Sequence, residues 1–170
     1  MKKVFFLLFA VLLSVLLCSC ESVPGVQTLT EALRQPYEAE AEIQDGDDVY
    51  TVSVDSDANS VSFCFFEPAL LRGVIYGFTD GRCSMDYNGL CIPVDPNGAQ
   101  DGLYGGVLVW KKLLAAEGEY TVRRTADNFV MTDGKTEYLF DKQKKAPVYI
   151  KSGDITITFI SFRAKNDKTS

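Results

Sequence analysis

The chain has 170 residues, with 17 Lys and Arg against 23 Asp and Glu, a formal net charge of −6 and 46% hydrophobic residues. That length suits one domain with one real core, and the acidic balance argues against nucleic acid, whose binding rests on Lys and Arg neutralising phosphates. There is no histidine, which excludes Ser-His-Asp and Cys-His nucleophilic sites and His-containing zinc sites.

The chain opens with Met1, Lys2 and Lys3, continues through an apolar run over 4–17, and reaches Leu17-Cys18-Ser19-Cys20. A short basic start, an apolar stretch of this length and a small residue before the boundary predict a secretory signal over 1–19. The run is shorter than the roughly 20 residues that a spanning helix needs. Its ending resembles the lipobox of bacterial lipoproteins, in which the cysteine becomes the lipidated N-terminus after cleavage. The resemblance implies an acyl anchor of palmitate type on Cys20, a tether over 20–27, and a lipid-anchored place on the extracytoplasmic face of a bacterial cell membrane. Each buried acyl methylene would contribute about 0.8 kcal/mol, with no protein segment crossing the bilayer. Loss of Lys2 and Lys3 leaves 15 basic residues against 23 acidic, a balance that also disfavours a polybasic membrane patch.

A domain is expected over 28–164. Thr28-Leu29-Thr30-Glu31 has the form of a helix start and Pro36 brings the helix to an early stop, so a short helix is predicted near 29–34. The apolar period then changes to two. A two-residue turn at Gly46-Asp47 sets Ile43 opposite Tyr50, Ala41 opposite Val52 and Ala39 opposite Val54. Glu38, Glu40 and Glu42 fall on the other, solvated face. Val61, Phe63 and Phe65 continue the apolar face. A turn at Asp80-Gly81 pairs Phe78 with Cys83, Tyr76 with Met85 and Val74 with Tyr87. Loop chemistry at Pro93, Pro96, Asn97 and Gly98 leads to Asp101 as N-cap of a second helix over about 102–116, with Leu103, Val107, Trp110 and Leu114 as its apolar stripe. Strands resume at Tyr120. A turn at Asp133-Gly134 pairs Met131 with Thr136 and Phe129 with Tyr138, and one at Ser152-Gly153 pairs Ile150 with Ile155 and Val148 with Ile157. Residues 165–170 form a polar tail.

The expected class is mainly β with some helix (α+β): a strongly curved antiparallel sheet of 10–11 strands, with one short and one longer helix over its concave face. A sheet of that length with one apolar side curls around it. Candidate lining residues of a cavity on that face are Tyr50, Val52, Phe63, Phe65, Tyr76, Phe78, Met85, Tyr87, Trp110, Phe129, Phe140 and Ile157. Cys64, Cys83 and Cys91 allow one disulfide or three thiols. No spacing suggests a metal site or a cofactor, and no nucleophile is grouped with a base.

The order of elements, the lipobox, Phe66-Glu67-Pro68-Ala69-Leu70-Leu71-Arg72-Gly73, and Ala146-Pro147-Val148-Tyr149-Ile150 ahead of Phe159-Ile160-Ser161-Phe162 resemble the LolA/LolB superfamily over roughly 28–162. The resemblance implies an unclosed antiparallel barrel with a helical lid over an apolar cavity. Lipoprotein carriers of that group hold acyl chains there, and relatives bind other lipids or act in envelope signalling. It also implies a membrane-contacting loop, at Leu70 and Leu71. The expectation is a non-enzymatic lipoprotein that holds a lipid or acyl chain. The alternative is an envelope protein-binding or signalling module on the same scaffold with a filled core.

Overall fold

A computed structural model describes residues 23–57, 60–79, 82–95 and 119–165. The helix expected over 102–116, and Trp110 with it, lies outside the described residues, as does Cys20. Among the described residues there is one α-helix, α1 (Val26–Arg34), followed by eleven strands. They are β1 (Tyr37–Asp45), β2 (Asp48–Ser56), β3 (Ser60–Glu67), β4 (Ile75–Thr79), β5 (Arg82–Tyr87) and β6 (Leu90–Val94), then β7 (Thr121–Arg124), β8 (Asn128–Thr132), β9 (Thr136–Asp141), β10 (Pro147–Ser152) and β11 (Ile155–Ala164). All belong to one antiparallel sheet in the order β6-β5-β4-β3-β2-β1-β11-β10-β9-β8-β7. β6 and β7 are its two edge strands, and the sheet is unclosed.

The first hairpin has the expected register, with Ile43 on Tyr50, Ala41 on Val52 and Ala39 on Val54. Gly46 takes φ +58°, the left-handed value that a Gly-first hairpin turn requires. The β4–β5 pairs Phe78–Cys83 and Tyr76–Met85 also stand as expected. Val74 lies outside β4, so it takes no ladder partner in Tyr87. Two other registers need correction, each by two residues. Met131 pairs with Tyr138 and Phe129 with Phe140, because the Asp133 carboxylate accepts hydrogen bonds from the backbone N–H groups of Lys135 and Thr136 and widens the loop. Ile150 pairs with Ile157, because the turn is built on Gly153-Asp154, again with glycine first at φ +60°. A slip of two preserves the side-chain period, so the apolar residues still face inward.

Bulges account for places where alternation fails. Glu40 pairs with Ser161 but Ala41 with Phe159, leaving Ile160 extra in β11. Phe159 and Phe162 therefore both turn towards the core, while Ile160 is exposed. Phe66 is extra in β3 and Val148 in β10. Val148 thus has no partner in Ile157, contrary to expectation.

The inward residues of the sheet form one buried cluster with Leu29 and Leu33 of α1. The helix is amphipathic, burying Leu29, Thr30 and Leu33, and it begins three residues earlier than its sequence signal. Its C-terminal end leads through Pro36, whose carbonyl accepts from the Lys165 N–H at 2.7 Å. Its N-terminal end lies beside Arg124, Phe129, Lys142 and Lys145. Both ends of α1 thus lie towards the end of the strands at which β1 starts and β11 finishes.

Candidate functional site

On the face of the sheet that carries the buried cluster, the residues expected to line a cavity fall into two groups. Val52, Phe63, Phe65, Phe78, Phe129, Phe140 and Ile157 are buried in the shared cluster, and Tyr50, Tyr76 and Met85 pack against it half-buried. Edge-to-face ring contacts join Phe63 to Phe78 at 6.2 Å, Phe65 to Tyr76 at 5.8 Å and Tyr50 to Phe65 at 6.4 Å, a geometry favoured by the ring quadrupoles. Burial raises the phenol pKa of Tyr76, and the neighbouring Cys83 raises it further; for Tyr50 burial comes first and then Asp48 and Asp45. Both phenols are therefore neutral, which suits an apolar face.

Tyr87 behaves differently, being 45% exposed. It lies at the end of β5 and pairs with Leu90 across the β5–β6 turn. One cross-strand row runs Val54, Phe63, Tyr76, Met85, Ile92 through β2 to β6. Directly opposed residues share a face, so Ile92 points the same way as Phe63. Phe63 is fully buried, Tyr76 and Met85 are intermediate, and Ile92 is 41% exposed. The inward apolar surface thus opens to solvent at β5–β6, where Leu90 is also exposed.

Leu90 and Ile92 escaped the sequence reading, which ran the Pro93 loop into this segment. The signal that finds them is Asn88-Gly89, with φ +53° and +81°, the pattern of the most favoured two-residue hairpin turn. Pro93 is tolerated because β6 is an edge strand.

The two leucines of the 68–73 loop part company. Leu70 in the short 3-10 turn Ala69–Leu71 is 88% exposed, and Leu71 packs against the core. Phe66 and Ile75 are exposed beside them. This loop shares an end of the sheet with the Asn88-Gly89 turn, so Phe66, Leu70, Tyr87 and Leu90 make one apolar rim.

Glu38, Glu40 and Glu42 lie on the outer face of β1. A hydrogen bond from Arg163, and then its charge, lowers the pKa of Glu38. No disulfide joins Cys64, Cys83 and Cys91. Cys83 faces the core, while Cys64 and Cys91 occupy one outer row separated by Ile75 and Asp86. Three strand spacings, about 14 Å, are well beyond disulfide reach. Among the described residues no three His, Cys, Asp or Glu side chains group into a metal site, and no helix is long and apolar enough to cross a membrane.

No family model matches the chain, and no curated protein does. Solved structures do. An uncharacterised conserved protein from Thermus thermophilus is 10% identical, covering 83% of this chain and 85% of that one, with a TM-score of 0.57. MucB is 13% identical with a TM-score of 0.53, covering 82% of this chain and 57% of its own. It has also been solved in complex with MucA. The chain shares the fold of the Thermus thermophilus protein and of MucB. A LolA superfamily protein from Nitrosomonas europaea also aligns, at 11% identity over 85% of this chain and 95% of that one, with a TM-score of 0.48. The chain spans little more than half of MucB.

Proposed function

We propose that this protein is a LolA/LolB-like, non-enzymatic bacterial lipoprotein, anchored through Cys20 on the extracytoplasmic face of a membrane, that holds an acyl chain or other apolar ligand on its concave face. The observation that carries this reading is the row from Phe63 to Ile92, in which one apolar surface passes from full burial to open access. An acyl chain entering between Tyr87, Leu90 and Ile92 would continue the packing of Met85 and Tyr76. Its affinity would come from apolar area leaving water, at about 25 cal/mol per Å². Cys20 rests on the lipobox in the sequence.

The test is native mass spectrometry of the full chain exported by a bacterial host, with organic extraction. A discrete bound mass in the lipid range, displaced by added fatty acid, is expected. Protein that carries no such mass and takes up no fluorescent fatty acid overturns the reading.

A second reading, an envelope protein-binding module, is supported by one finding. MucB, with the same fold, has been solved in complex with MucA. On this reading the exposed Leu90 and Ile92 would receive a partner's apolar side chains, and crosslinking from β6 in cells would trap a protein and no lipid.

A further inference from the structure

The two ends of the sheet differ in chemistry. The end carrying the 68–73 loop and the Asn88-Gly89 turn is the apolar rim. The opposite end is where β1 begins, β7 and β9 end, and β8 and β10 start, as the pairs Tyr37–Ala164, Asn128–Asp141 and Pro147–Phe140 fix. Here Arg124, Lys144 and Lys145 are exposed and Lys142 is half-buried. Against the acidic balance of the whole chain, which by itself disfavours a polybasic patch, these four cationic residues gather at one end of the strands, where Glu38, Asp55 and Asp57 are paired with Arg163 and Lys165.

The turn that carries the lysines is built firmly. One oxygen of Asp141 accepts from the N–H groups of Gln143 at 2.9 Å and Lys144 at 2.6 Å, and the Lys145 N–H donates to the Asp141 carbonyl at 2.8 Å. The Asp141 carboxylate is thereby turned into the loop backbone, leaving Asp127 as the exposed acid of the adjoining turn. The Lys142 N–H donates to the Asp127 carbonyl, tying the two turns together.

Val23, Pro24 and Gly25 line the same cleft as Arg124, Lys142 and Lys145. The chain therefore leaves the domain towards Cys20 beside the basic cluster. Three chain steps separate Val23 from Cys20, a reach of at most about 11 Å.

Resting on the reading of Cys20 as the anchor, we propose that this end of the sheet faces the anchoring bilayer. Arg124, Lys142, Lys144 and Lys145 engage its anionic headgroups, and the Leu70 tip is held on the far side of the domain. Strand β3 alone, at about 3.3 Å per residue, sets the two ends some 25 Å apart. The apolar rim is thus presented away from the membrane that holds the protein.

The experiment uses the full chain exported by a bacterial host, with intact mass reading acylation of Cys20 first. Lipidated protein is placed in phosphatidylcholine vesicles with or without phosphatidylglycerol, and amide hydrogen exchange is followed. Exchange at 124–128 and 142–146 is expected to slow with phosphatidylglycerol, to recover in high salt, and to be unaffected by lipid charge in the K142E/K144E/K145E variant. Exchange at 68–73 should not change. Protection at 68–73 alone, or none at either end, overturns the proposal. If Cys20 carries no lipid, the anchor reading fails by itself. Co-sedimentation of the unacylated chain with phosphatidylglycerol vesicles then decides the surface: a drop of about a hundredfold on triple charge reversal supports it, and equal partitioning overturns it.

Discussion

Phe63 and Ile92 point the same way from one cross-strand row, with Tyr76 and Met85 between them, yet the first is fully buried and the second open to solvent. On the proposed reading, the row divides a structural role at Phe63 from a binding role at Ile92. Phe63→Ala should cost about 3–5 kcal/mol in urea unfolding. Ile92→Glu should leave stability within about 0.5 kcal/mol and lower the uptake of fluorescent fatty acid at least about tenfold. Unchanged uptake by a folded I92E protein would take β6 out of the site.

Leu70 and Leu71 make a second contrast, because one is exposed and its neighbour packs on the core. Leu70→Asp should shift the midpoint of thermal unfolding little. Leu71→Asp should destabilise by about 2 kcal/mol or more, because it puts a charge against apolar side chains. Equal effects in calorimetry would mean that the loop is held otherwise.

Asp133 provides an acid-side test. Partial burial would raise its pKa, but the N–H groups of Thr136 and Lys135 outweigh that and hold it below the usual carboxylate range. Its folded pKa is lowered, so its contribution is full above the unfolded value of about 3.9 and is lost as pH falls through the folded value. Asp133→Ala should cost about 1 kcal/mol at pH 7 and flatten the loss of stability below pH 4, as read by urea midpoints across pH.

Tyr138 makes the alkaline counterpart. Burial first, then the nearby Tyr120 and Asp133, raises its pKa well above the ordinary phenol value. Its neutral form therefore supports the fold fully below about pH 10, the unfolded value, and that support falls away as pH rises towards the folded value. Tyr138→Phe should make the decline in stability above pH 10 shallower. An unchanged slope would place the alkaline transition on other tyrosines.

Sidedness was more legible in the sequence than register. Period-two alternation places Ala39, Ala41, Ile43, Phe63 and Phe140 inward whichever turn is chosen, since a slip of two leaves the faces unchanged. Register at 131–138 and 150–157 depends on which backbone groups a turn satisfies. Asp133 reaches two N–H groups beyond its own turn, and Gly153 outcompetes the Ser152-Gly153 alternative by supplying the left-handed residue where the hairpin twist needs it. Bulges at Ile160, Phe66 and Val148 break the alternation locally, and no composition rule marks them. The open rim was hidden because Pro93 reads as loop chemistry, and only an edge strand makes it compatible with a ladder.

The first strand and the last lie side by side, with Tyr37 against Ala164 and Ile43 against Ile157. Everything else in the sheet joins neighbours in the chain, and such local pairs form quickly. The seam between β1 and β11 must wait for almost the whole polypeptide. Until that moment β1 and β10 each present an unpartnered row of backbone donors and acceptors, the template on which strands of separate chains associate. A chain emerging unfolded is thus most exposed to self-association just before its last ten-residue strand arrives, and a truncation that removes β11 should aggregate even though every remaining hairpin is intact.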